Sequence, residues 1–208
     1  MKIKMATAFV RAFVCLFLMC GLAIAQTGNG DEPRGKNEIQ IWGGASPASS
    51  TVFGFGVVEN ARLGILAVRY ARRFNNGRFV NLKYTVDAIP LAILSVPRFR
   101  NSNGFRQTAY SAGVSPLGLQ MNFLPRKRIQ PFFDASGGLL IFNKAIPNDF
   151  GRQFNFTAHI GGGVEFRLKK GRAFTVGYKY FHISNGNRGS VNPGIDNNLI
   201  YAGYSFSK

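Results

Sequence analysis

Cysteine is nearly missing from this 208-residue chain, and its two copies, Cys15 and Cys20, both fall within the first 20 positions. If that leading stretch is removed, no disulfide can hold the rest together. Acid is scarce too, with 9 Asp and Glu against 26 Lys and Arg, a formal charge of +17. There are two histidines, His159 and His182. No Cys, His or carboxylate cluster has the spacing of metal ligands, so no metal or other cofactor is implied. Gly161-Gly162-Gly163 is not followed by a helical pattern, which excludes a nucleotide-binding loop. After the first 25 residues no apolar run reaches the roughly 18 residues of a membrane helix.

The beginning has the layout of an export signal. Lys2, Lys4 and Arg11 are basic, Ala12 to Gly21 is apolar, and Ala23-Ile24-Ala25 is a small-x-small cleavage site. The apolar stretch is shorter than the roughly 20 residues needed to span a bilayer. Cys20 raises a lipoprotein reading, but Phe17-Leu18-Met19 is bulky for that processing. Residues 1–25 are therefore expected to be a signal peptide and 26–208 the mature domain. Removing three basic residues leaves 23 Lys and Arg against 9 acids, or +14. That balance suggests an anionic partner. Export argues against nucleic acid and favours a phosphate-bearing membrane surface. No obligate protein partner is evident.

What the chain has in abundance is alternation. From Phe154 to Leu168 one parity reads Phe, Phe, Ala, Ile, Gly, Val, Phe, Leu and the other Asn, Thr, His, Gly, Gly, Glu, Arg. Period two marks a strand, whereas a helix would repeat at three and four. The same rule holds over Val80–Ala88 and Ile129–Ile141. Between Tyr110 and Phe123 the parity switches near Ser115-Pro116, the mark of a bulge. Segments near 38–46, 61–74, 172–184 and 196–206 complete eight strands. A soluble sandwich also alternates. Here, however, one parity is rich in Phe, Tyr, Leu and Val, while the other carries Lys, Asp, Glu, Arg and glycine. That is the inside-out pattern of a membrane β-barrel, so the expected fold is an eight-stranded antiparallel transmembrane β-barrel, its interior filled by side chains. Arg69, Arg73, Lys83, Asp87, Asp134 and Glu165 are expected as interior charge pairs, with His159 hydrogen-bonded among Asn155, Thr157 and Glu165.

The connections fall into two sets. Those at 75–77, 125–128 and 169–172 are short, while 46–60, 90–104, 142–153 and 185–195 are longer. Bacterial barrels put short turns in the periplasm and long loops outside, so the seventh strand runs outward and ends near Ser184. Its lipid-facing parity is Phe174, Val176, Tyr178, Tyr180, His182 and Ser184. His182 and Ser184 thus share a face, about 6–7 Å apart along the strand. A histidine on a greasy face is costly without a partner, and Asp196 on strand eight would lie beside it across the hairpin. Serine, histidine and carboxylate are the parts of an activated nucleophile. Asn185 and Asn192 could supply donors to an oxyanion. The alternative is that His182 and Ser184 are polar residues tolerated at headgroup level.

The stretch His182-Ile183-Ser184-Asn185, followed by Asn192-Pro193-Gly194-Ile195-Asp196, resembles the carboxy-terminal motif of the lipid A 3-O-deacylases, the PagL-type family of outer-membrane acyl hydrolases. Trp42-Gly43-Gly44 and Ile129-Gln130-Pro131-Phe132 extend the likeness. The resemblance implies that Ser184, His182 and Asp196 form the catalytic set, that Asn185 and Asn192 stand near it with Asn192 helping the oxyanion, and that lipid A of lipopolysaccharide is the substrate, cut at its 3-O-linked 3-hydroxyacyl ester. It also implies an outer-membrane location with the site toward the outer leaflet. The family has glutamate where this chain has Asp196, one methylene shorter. Two other classes remain: a noncatalytic structural or adhesive barrel, and a lipid acyltransferase or phospholipase barrel.

Overall fold

A computed structural model describes residues 35–50, 55–97 and 105–207. The expected signal peptide lies outside them. Eight strands follow one another: β1 (Asn37–Ser46), β2 (Arg62–Arg73), β3 (Val80–Pro97), β4 (Arg106–Phe123), β5 (Ile129–Ile146), β6 (Arg152–Arg167), β7 (Arg172–Ser184) and β8 (Ile195–Ser207). Each pairs antiparallel with its sequence neighbours, and β8 closes onto β1. The expected eight-stranded antiparallel barrel is what forms. No helix among the described residues is long and apolar enough to cross a membrane.

The alternation read in the sequence becomes two faces. Outward-facing Ile41, Tyr70, Leu119, Phe133, Ile160 and Val176 are exposed on the wall, a belt suited to lipid rather than water. Register shifts interrupt the alternation on the long strands. The one at Ser115-Pro116 lies between Val114 and Leu117 on β4. A second lies between Ile89 and Ala92 on β3, at Pro90-Leu91. Proline lacks the N–H a ladder needs, so it settles where pairing is already broken. The second shift corrects an expectation. Residues 90–97 are strand, not loop, because beyond Pro90 the alternation resumes in the opposite phase, with Ala92, Leu94 and Val96 buried and Leu91 and Ile93 exposed. Residues 142–146 are also strand, and there the β5–β6 register shifts between Ile141 and Ile146.

The interior is divided. Toward the short turns it is ionic. Arg69 grips both oxygens of Asp87 at 2.8 and 2.9 Å and reaches Asp134 at 3.2 Å. Lys179 also contacts Asp134 and lies 4.8 Å from the Tyr201 ring centroid. Lys83 joins Glu38 and Glu165 at 3.1 and 3.3 Å. Trp42 Nε1 donates to Asp87 Oδ1. Arg73, expected inside, is instead half-buried at the end of β2. His159 is inside as expected, but its partners are Ser136, Asp134 and Lys179 rather than Asn155, Thr157 and Glu165. Toward the long loops the interior turns apolar, with Leu63, Leu94, Leu140, Phe142, Ile183 and Ile195 all buried. The inward parity is thus polar over only part of its height.

The turns carry much of the surplus positive charge. Arg126, Lys127, Arg128, Lys169 and Lys170 are exposed there, at the opposite end from His182 and Ser184. Two successive left-handed residues, Lys170 and Gly171 with φ of 58° and 67°, close the β6–β7 turn.

Candidate active site

β7 carries two of the candidate residues and β8 the third. His182 and Ser184 lie on the outward parity of β7, as the alternation requires. The β7–β8 ladder sets His182 directly opposite Asp196. Register alone therefore brings imidazole and carboxylate together, and His182 Nδ1 lies 2.6 Å from Asp196 Oδ1. A neutral imidazole that donates from Nδ1 has Nε2 as its acceptor. The His182 side chain is 24% exposed and that of Asp196 fully buried.

Ser184 sits at the last position of β7, opposite Phe156 on β6. No hydrogen bond joins its hydroxyl to His182. The structure thus assembles the histidine–carboxylate half of the set and leaves the serine on the same face, one side-chain repeat farther up. Ser184 lines a small crevice with Asn155, Ile183, Asn185, Asn192 and Gly194.

Asn185 and Asn192 hold the β7–β8 loop in shape. Asn185 N–H donates to Asn192 Oδ1 at 2.9 Å, and Asn185 Nδ2 donates to the Val191 carbonyl at 2.7 Å. Asn192 Nδ2 donates to Asn187 Oδ1 at 3.0 Å. Each amide group has two N–H bonds, so each keeps one beyond the bond it makes here. Arg188 lies over the rings of Phe154 and Phe156, 4.4 and 4.7 Å from their centroids. Its Nε donates to the Asn185 carbonyl.

Burial of Asp196 on an outward parity needs an explanation, and the β1–β2 loop supplies it. Ser50 N–H donates to the Asp196 carbonyl, Ser49 bridges to Asn197, and Gly56 N–H donates to Asp196 Oδ2 at 2.7 Å. The loop folds over the outer face of β8, so Ile195, Asp196 and Asn197 are all buried in succession. This is why strand eight alternates less cleanly in the sequence. Phe55 sets its ring edge-on to His182, centroids 6.4 Å apart. Tyr180, one repeat below His182, stands beside the same carboxylate. Phe55, Gly56 and Tyr180 were not legible as site residues. The one sequence hint is the glycine-rich stretch that ends at Gly56, and the partner of Gly56 lies 140 residues away.

A second serine–histidine–aspartate set lies inside the barrel. Ser136 Oγ is 3.0 Å from His159 Nδ1, and His159 Nε2 is 3.2 Å from Asp134 Oδ2. Here the serine–histidine contact is formed, yet Lys179 also abuts Nε2 at 2.9 Å and His159 is 4% exposed. With both ring nitrogens occupied, and Asp134 shared with Lys179 and Arg69, this set is part of the ionic packing, although Ser136 and His159 also border an apolar groove on the outer wall with Tyr84, Leu119 and Ile160. Among the described residues no group of three His, Cys, Asp or Glu is placed to hold a metal.

Among solved structures, the chain is similar to the outer membrane enzyme PagL, at 18% identity over 81% of this chain and 99% of that one, with a TM-score of 0.56. It is also similar to Neisserial surface protein A, at 14% identity over 85% and 100% of the two chains, with a TM-score of 0.53. Such likeness shows an outer-membrane barrel fold, which an enzyme and a surface protein share. No match was found among curated protein sequences. The family model for lipid A 3-O-deacylase (PagL) matches residues 72–205, a span that holds His182, Ser184 and Asp196. By that match over well more than half its length, the chain belongs to the lipid A 3-O-deacylase family of outer-membrane ester hydrolases.

Proposed function

We propose that this protein removes the 3-O-linked 3-hydroxyacyl chain of lipid A by a Ser184–His182–Asp196 mechanism. The observation that carries the reading is the His182–Asp196 bond on the outward, lipid-side face, with Ser184 two residues up the same strand. Asp196 fixes the ring so that Nε2 is the basic nitrogen. As the substrate ester settles against Ser184, Nε2 takes the hydroxyl proton and Oγ bonds to the acyl carbon. The carbon–oxygen bond to the sugar then breaks, and the departing sugar oxygen takes the proton from His182. Water, deprotonated by the same nitrogen, attacks the acyl carbon; the bond to Ser184 Oγ breaks, His182 returns the proton to that oxygen, and the 3-hydroxy fatty acid is freed. The remaining amide hydrogens of Asn185 and Asn192 are the candidate donors to the oxyanion.

The chain is exported by its first 25 residues, and the site meets the outer leaflet from the side. The unformed Ser184–His182 hydrogen bond favours one rival, a barrel in which these residues are merely polar rim. Catalytic hydrogen bonds often tighten only when substrate is bound, so the gap does not oppose catalysis. Mass spectrometry of lipid A from cells expressing the chain or its Ser184→Ala variant, at equal levels of folded barrel, separates the two. Loss of one 3-hydroxyacyl mass with the unaltered chain alone is expected. Unchanged lipid A in both would overturn the proposal.

A further inference from the structure

Residues 55–58 of the β1–β2 loop form a strap across the β7–β8 loop. Val57 N–H donates to the Pro193 carbonyl at 2.7 Å and Val58 N–H to the Gly194 carbonyl at 3.3 Å. Docked this way, Gly56 N–H reaches Asp196 Oδ2 at 2.7 Å, the oxygen that His182 does not use. A carboxylate with one oxygen on a ring N–H and the other on a main-chain N–H cannot rotate without losing a charge-assisted bond. The approach is too close for side chains. A Cβ on Gly56 would lie 2.8 Å from Asp196 Cγ, and one on Gly194 would lie 2.7 Å from the Phe55 carbonyl and 3.1 Å from His182 Cε1. Gly194 also has φ of +63°. Four observations thus converge on one contact: two docking bonds, one bond to the acid, and glycine at both points of closest approach.

We infer that the strap is a working part of the site, with Gly56 a positioning residue that acts through Asp196 to hold the His182 ring for Ser184. The inference rests on the Ser184–His182–Asp196 reading. Strap and aspartate belong together, since the short acid leaves room for main chain to stand against it.

The test uses the whole folded barrel in detergent, with release of 3-hydroxy fatty acid from lipid A as the assay. Folded protein is counted from the faster gel migration of unheated barrels. Gly56→Ala crowds the carboxylate. Val57→Pro removes the docking N–H at an exposed position, 64% accessible, where the barrel itself is not at stake. Each is expected to lower kcat about ten- to a hundredfold with little change in KM, the worth of one hydrogen bond to a charged group. In an Asp196→Asn background neither is expected to cost anything more. Unchanged kcat in Val57→Pro, or losses that multiply fully with Asp196→Asn, would overturn the inference. A readout without turnover runs beside it. In protein with 15N-labelled histidine, the low-field Nδ1–H resonance of His182, assigned with His182→Gln, is expected to move or broaden in both strap variants. An unmoved resonance would sink the inference even if the unaltered chain spared lipid A, an outcome that would count separately against the proposed function.

Discussion

His182 and Asp196 are cross-strand partners, so the 2.6 Å bond between them is a property of the β7–β8 register rather than of a flexible loop. Ladder and site stand or fall together. Asp196→Asn keeps the shape but removes the charge that steadies the imidazolium, and kcat is expected to fall by about a thousandfold or more. Fatty-acid release at substrate saturation is the check. A variant retaining most of its turnover would remove Asp196 from the mechanism.

Asp196→Glu restores the acid typical of the family and is nevertheless expected to slow the enzyme. The carboxylate is fully buried against Gly56, so an added methylene pushes into the strap. Overpacking of this kind costs about 1–3 kcal/mol. Steady-state kinetics of the two acids decides it, and a faster glutamate variant would show that the strap yields freely.

The interior set gives a contrasting prediction. His159→Gln removes a ring bonded to Ser136 and Asp134 and stacked on Phe181 at 6.0 Å. Turnover per folded barrel should stay as it was, while resistance to thermal unfolding drops. His182→Gln should do the reverse. A matched loss of turnover in both variants would mean that the lumen takes part in the chemistry.

Arg69→Met leaves Asp87 and Asp134 without their guanidinium. Breaking a buried pair from one side costs about 3–5 kcal/mol, which should appear as an earlier urea midpoint for the folded form. An unchanged midpoint would mean that water already reaches these carboxylates.

On the wall, Ile160→Arg places charge where 53% of the side chain is accessible. Facing lipid near the bilayer midplane, it should cost about 2–4 kcal/mol; facing water, almost nothing. Folding yield into vesicles measures the difference.

The barrel was legible because a two-sided wall writes period two into every strand, and β6 shows it from Phe154 to Arg167. Parity also put His182 and Ser184 on one face and Asp196 across from them. What stayed hidden is tertiary. Leu91 to Val96 looked like loop because one bulge reverses the phase. Gly56 could not be found from local pattern, since its role exists only once β1–β2 folds over β8. The interior's apolar upper part was obscured for a related reason. Alternation tells which residues point inward, but not whether the space they enter is ionic or greasy.

The divided interior has a consequence for traffic. Below, Arg69, Asp87, Asp134 and Lys179 interlock with exposures of 2% or less; above, Leu94, Leu140 and Ile183 fill the bore. A salt-laced stopper under a greasy one offers ions and solutes no continuous wet route, so the protein in a planar bilayer should be electrically silent. Under the proposed function, reactant and products would then share one exit, sideways into the leaflet, and lipid could be trimmed without opening a leak.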